Sequence, residues 1–223
     1  MTLSGPFALE ASNLGKSGRT RARLMDAAVD VFAREGFQAA SVNEIARLAD
    51  VANGTFYVHF RDKDAIAAEV AYGITREIAR QIDEAMSQID GAAERFSFAT
   101  RQFIELATTQ PMWGWVLIRS AWIVPELNHR VETYLSSDLK RGVKQGIFNR
   151  EIDPFIVDAI SSMILSALAA RLRGDAGEEA GSRVSELALC MLGFPVSEAK
   201  ALAWSAITLQ DFSTNVLPRA PKP

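Results

Sequence analysis

Residues 41–64, SVNEIARLADVANGTFYVHFRDKD, carry two short helical patterns separated by a break. Val42, Ile45, Ala46 and Ala49 recur at i, i+3, i+4 and i+7, which is one face of a helix. Ser41 precedes that face as an N-cap, and Glu44 three residues on completes the S-x-x-E capping-box pattern. The spacing predicts a helix over 42–48. Asp50 falls at a turn position, where an Asp side chain bonds local backbone and tolerates left-handed geometry. The chain restarts as A-N-G-T-F-Y-V-H-F, polar and small at its start and aromatic at its end. As a helix it would anchor Val51, Phe56 and Phe60 in a core and present Asn53, Gly54, Thr55 and Tyr57. Gly54 costs helix stability, so it makes sense where something approaches the backbone closely. Two helices joined by a tight turn, the second offering small polar groups at its N-terminal end, form the helix-turn-helix geometry for reading a DNA major groove.

The same residues resemble the signature of TetR-family transcriptional regulators. The match runs through Val42, Ile45, Ala46, Ala49, Val51, Gly54, Thr55, Phe56, Tyr57, His59, Phe60 and Lys63. The chain departs from it at Asp50, where glycine is usual, and at Ala52, where serine usually caps the second helix. The departure at 52 implies either a weaker cap or one supplied by Asp50. The resemblance implies an all-α protein that is no enzyme: an N-terminal three-helix DNA-binding domain and a C-terminal helical domain for ligand binding and dimerisation. It further implies that Ser41, His59 and Lys63 approach phosphates and that Asn43 lies where helix 2 of some members touches a base. With Asn53 suited to an adenine edge, Thr55 to a thymine methyl or base acceptor, and Tyr57 to a base or phosphate, these residues and Gly54 form the expected DNA contact set.

Elsewhere the helical patterns are long. Residues 20–35 place Leu24, Ala27, Ala28, Val31 and Phe32 on one face and stop at Gly36. Residues 62–88 repeat Ile66, Val70, Ile74, Ile78 and Ile82, a helix able to link the DNA-binding domain to the rest. Further helices are expected over 92–109, 111–122, 126–145, 154–172, 180–192 and 196–208. The 154–172 pattern is apolar nearly all round, which predicts burial on both sides. Its Ile160, Ile164 and Leu168, with Val184, Leu187 and Met191 of the next helix, are the expected two-fold dimer interface; packing within one chain is the alternative. Phe96, Phe103, Trp113, Trp122 and Met163 are the expected lining of a pocket for a small hydrophobic or aromatic effector, with core packing as the alternative. The organisation expected is a flexible tail over 1–18, a DNA-binding domain over 19–64, a helical domain over 65–212 and a disordered tail over 213–223.

Charge and composition set limits. The net charge is −3, which by itself argues against a nucleic-acid binder. Residues 16–64, however, hold eight Lys/Arg against seven Asp/Glu, so affinity for DNA should be modest and salt-dependent. Two histidines, His59 and His129, and one cysteine, Cys190, offer no metal or disulfide framework. No cofactor is expected. A single cysteine and the lack of a secretory pattern suit a reducing cytoplasm, and the 155–170 run looks too short to span a bilayer. The expected function is a homodimeric repressor released from a near-palindromic double-stranded operator by its effector. A DNA-bound structural or division-control protein of the same fold, without an effector, is the alternative.

Overall fold

A computed structural model of the chain describes residues 7–8, 11–109, 111, 114–115, 117–118 and 125–207, with the side chains of all of these but 12, 107 and 125–134. Trp113, Trp122, the complete 111–122 helix and the 213–223 tail lie outside that set. Among the described residues every regular element is helical: a 3-10 turn, Ala11–Asn13, then α1 Lys16–Ala39, α2 Val42–Leu48, α3 Asn53–His59, α4 Lys63–Ala85, α5 Ala92–Thr109, α6 Pro125–Lys144, α7 Pro154–Arg173, α8 Ala180–Met191 and α9 Val196–Ala203.

Local devices set the helix ends. Asp62 caps α4 by accepting from the Ala65 N–H, and Asp153 caps α7 by accepting from the Ile156 N–H, with Pro154 in the first turn. Gly174 ends α7 at φ 80°, a left-handed residue that glycine adopts without strain. Gly36, at φ 73° and ψ 163°, breaks the helical geometry near the end of α1 and turns Phe37 inward, 5.4 Å from the Phe32 ring.

The head built from α1, α2 and α3 closes over Leu24, Ala28, Val31, Phe32, Ile45, Ala46, Ala49, Phe56 and Phe60, all buried. Ile66 and Val70 of α4 complete that core, and the same apolar cluster continues through Ile74, Ile78, Ile82 and Met86 to Leu106, Leu117 and Leu168. The head is therefore packed onto the helix that leads away from it. A second cluster, around Phe96, Leu139, Phe148, Ile160, Leu189 and Leu192, joins α5 to α9.

Three expectations change here. The free N-terminal tail does not hold over the described part of 1–18. The Phe7 and Ala8 N–H groups donate to the buried Asp26 carboxylate at 3.0 and 2.8 Å, and the Phe7 ring covers Gly73 of α4 so closely that a Cβ there would lie 2.3 Å from it. The 154–172 helix is not buried on both sides. Val157, Ile160 and Leu168 are its buried residues, while Phe155 is 74% exposed. Nor is it too short for a bilayer: α7 has 20 residues and a mean hydropathy of 1.7, enough by length and composition to cross one. Here it packs sideways on α5, α6 and α8.

Candidate DNA-reading edge and ligand cavity

The turn between α2 and α3 is held by backbone bonds. Asp50 sits at φ 54°, the one non-glycine at positive φ among the described residues. Its N–H donates to Arg47 O at 3.1 Å and the Val51 N–H donates to Ala46 O at 3.0 Å, closing α2 with a Schellman-type end. Arg23 reaches across from α1 and donates to the Ala49 carbonyl, so the turn is fixed to the first helix. At the other end of α2 the Ser41 hydroxyl accepts from the Glu44 N–H at 3.2 Å. Glu44 itself faces Arg47 and Arg34, at 2.6 and 3.1 Å. Arg47, by its hydrogen bond first, then its charge and that of Arg34, holds the Glu44 carboxyl below the usual carboxylate range.

On α3 the structure places Asn53, Gly54 and Tyr57 at the surface, with Thr55 and His59 half-buried. Phe56 anchors the helix from beneath, edge-on to Tyr57 at 5.4 Å and 5.8 Å from Phe60. Arg21 lies over the Phe60 ring at 4.8 Å. Around Gly54 an added Cβ would meet nothing of this chain within 4 Å, so no internal contact demands glycine there. Ser41 and Asn43 are exposed on the same head. Ala52 caps α3 without any side-chain bond, and the Asp50 side chain, 98% exposed, leans toward Arg23 at 3.7 Å. Asp50 thus does not supply the missing cap.

Lys63, expected near a phosphate, also has partners within the chain. Its ammonium donates to the carbonyls of Phe37, Gln38 and Ala40 at 2.8, 3.2 and 2.8 Å and stands 4.7 Å over the Phe37 ring. An ammonium has three donors, and all three are spent closing the C-terminal end of α1. Val58 escaped the sequence reading. It is 78% exposed beside Tyr57, and the sign was an apolar residue set off the Phe56–Phe60 face.

The second feature is a cavity of about 480 Å³. α4 gives it Thr75, Ala79, Ile82, Asp83 and Met86; α5 gives Arg95, Phe96, Ala99, Thr100 and Phe103; α6 gives Leu135, Ser137, Asp138 and Arg141; α7 gives Ser161, Ile164 and Leu165. Phe96 and Phe103 fall where they were expected. Met163 does not: it packs on the second core cluster. Trp115, between Trp113 and Trp122 in sequence, is exposed and off the cavity wall. The cavity is also more polar than an aromatic slot. The Arg95 side chain, 5% exposed, donates to Asp83 at 2.5 Å, to Asp138 at 3.3 Å and to the Met86 carbonyl at 2.9 Å.

The expected dimer residues divide. Ile160 and Leu168 are fully buried inside the chain and Val184 nearly so, so in the single chain all three face the core. Ile164 faces the cavity and Met191 packs on the second core cluster. Leu187 is 61% exposed. No cluster of metal-ligating side chains occurs among the described residues.

Residues 24–70 match the family model of bacterial regulatory proteins of the tetR family, and residues 91–204 match the tetracyclin repressor-like C-terminal domain. Over 148 residues the chain is 28% identical to the HTH-type transcriptional repressor KstR2 of Rhodococcus jostii, covering 62% of this chain and 72% of that one. It is 26% identical to YhgD, an HTH-type transcriptional regulator of Bacillus subtilis, over 135 residues, or 59% of this chain and 71% of that one. The fold is shared with RolR, solved in complex with resorcinol: TM-score 0.71, 23% identity, 92% of this chain and 98% of RolR.

Proposed function

This chain belongs to the TetR family of bacterial transcriptional regulators, and from that premise we propose that it is a homodimeric repressor released from a near-palindromic operator by a small molecule bound between α4, α5, α6 and α7. One observation carries the reading. α4 completes the core of the head through Ile66 and Val70 and, five residues after Val70, begins the wall of the cavity with Thr75, Ala79 and Ile82. A ligand that prefers one position of α4 therefore changes how the head is presented to DNA. The cavity also weighs against the structural or division-control alternative, which has no use for one.

In this reading Asn53 addresses an adenine edge, Thr55 a thymine methyl or base acceptor, and Tyr57 a base or phosphate. Gly54 lets the DNA backbone approach α3. Ser41 and His59 approach phosphates and Asn43 a neighbouring base. Two heads are needed, because a nearly charge-balanced head grips phosphate weakly alone. Phe155 of α7 and Leu187 of α8 are exposed and apolar, and a second copy would cover them in a four-helix contact. The protein would work in the cytoplasm, where its operator is.

The test is a gel shift on operator fragments selected from random duplexes. Tyr57→Ala should abolish specific binding with the fold intact by circular dichroism. Ala79→Phe, which fills the cavity some distance from the head, should change operator affinity about tenfold. If Tyr57→Ala binds as the parent does, the assignment of the reading edge fails. If Ala79→Phe leaves affinity unchanged, so does the coupling through α4.

A further inference from the structure

Resting on the proposed cavity reading, we propose that the effector is a neutral, compact, hydroxyl-bearing aromatic molecule, and that its hydroxyl acts on the clasp Arg95 makes between α4 and α6.

The cavity supplies two kinds of surface. Phe96, Phe103, Ile82, Met86 and Ile164 give apolar walls that suit a ring. Among the described residues the charged groups on the lining are Asp83, Asp138, Arg95 and Arg141, two of each sign, so this part of the lining carries no net charge. Arg95, the most enclosed of them, is already neutralised by both carboxylates. A ligand carboxylate reaching it would have to displace Asp83 or Asp138 and add a third negative charge. A ligand cation would meet two guanidinium groups. Either adds an unbalanced charge beside Arg95, whose side chain is 5% exposed, and that is where such a charge is costly. A hydroxyl both donates and accepts. It can donate to a carboxylate, which offers about four acceptor positions, and accept from a guanidinium, which offers five donors. Thr75, Thr100, Ser137 and Ser161 around it are matched in kind.

The clasp gives the hydroxyl something to move. Arg95 on α5 donates to Asp83 and to the Met86 carbonyl at the C-terminal end of α4, and to Asp138 on α6. A hydroxyl that takes the Arg95 donor now given to Asp83 loosens α4 at that end, while its ring holds α5 in place. The head, packed on the other end of α4, follows.

The probes are 4,4′-dihydroxybiphenyl, biphenyl-4-carboxylate and decanoyl-CoA, titrated by calorimetry into the full chain and then added to the operator gel shift. The diphenol should bind at least tenfold tighter than either anion and release the operator. Ala79→Phe should abolish diphenol binding, which locates it in this cavity. Asp138→Asn, which removes one negative charge from the lining beside Arg95, should weaken the diphenol about tenfold and bring biphenyl-4-carboxylate into measurable binding. A merely structural role for Asp138 would weaken both together. Should Asp138→Asn fail to fold, Asp83→Asn, at a more exposed carboxylate, makes the same charge change. The ligand class is overturned if an anion binds wild-type protein tighter than the diphenol, or if none of the three binds. An anion that binds and releases the operator overturns the class alone and leaves effector control standing. Ala79→Phe with unaltered operator affinity removes effector control itself.

Discussion

The head and the body of this molecule are both helical, yet they are specified in different ways. The head is held by short-range devices: a serine cap at 41, a left-handed residue at 50, a kink at Gly36 and the Lys63 clasp on three carbonyls. Each acts within a turn or two of sequence or between neighbouring helices. The body is held by which face of each long helix meets which neighbour. That depends on partners far away in the chain, as Arg95 shows by reaching Asp83 on one side and Asp138 on the other. The difference teaches where function can vary. Changes in the head break local geometry, whereas changes in the body re-aim side chains around a cavity.

The largest test of that contrast is Lys63→Met. If the ammonium is a structural clasp, the variant leaves the Phe37, Gln38 and Ala40 carbonyls without their donor and costs about 3 kcal/mol, since hydrogen bonds to a charged group contribute more than neutral ones. Urea denaturation followed by circular dichroism measures it. A variant of parental stability whose DNA affinity depends less steeply on salt, by a slope of roughly 1, would restore Lys63 to the phosphate contacts.

A smaller effect tests whether the N-terminal segment belongs to the folded unit. Phe7→Ala removes a half-buried ring from over Gly73, and should cost about 2 kcal/mol, below the full penalty of a buried phenylalanine. Gly73→Ala sharpens the point. In an open helix that change adds roughly 1 kcal/mol of stability; here it should lose stability, because the new Cβ meets the ring. If Phe7→Ala melts like the parent, residues 7–18 behave as the tail that their composition suggests.

What could be read from the sequence follows the same division. The exposed face of α3 was legible because Phe56 and Phe60, on one side of a short helix, fix the orientation of the other residues. The Lys63 contacts were not legible, because its position in a family pattern says nothing about the carbonyls that α1 brings to it. In the body, local residues such as Asp62, Asp153 and Gly174 set helix ends, but helix phase was not legible. α7 is apolar on every side, so its pattern carries no orientation. Ile160 and Leu168 turn to the core, Ile164 to the cavity and Phe155 to the outside. Arg95 left one usable sign. It shares a helical stripe with Ala99, Phe103 and Leu106, and an arginine on an apolar stripe needs buried partners.

The smallest effect reports on how separate the two regions are. α3 starts at Ala52, at φ −64° and ψ 147°, with no side-chain cap, although the Thr55 N–H does reach the Ala52 carbonyl at 2.8 Å. Ala52→Ser places a hydroxyl where it can accept from a free N–H of the first turn, and should add about 1 kcal/mol. Native-state hydrogen exchange shows where that gain goes. The apolar cluster runs without a break from Phe56 through Ile66 and Ile78 to Leu168, so head and body share packing along α4. If they open as one unit, amides in α8 slow by the same factor as those in α3. If only the α3 amides slow, the head opens by itself despite the shared core. α4 would then transmit a change of position without transmitting stability, and effector control would rest on where α4 points.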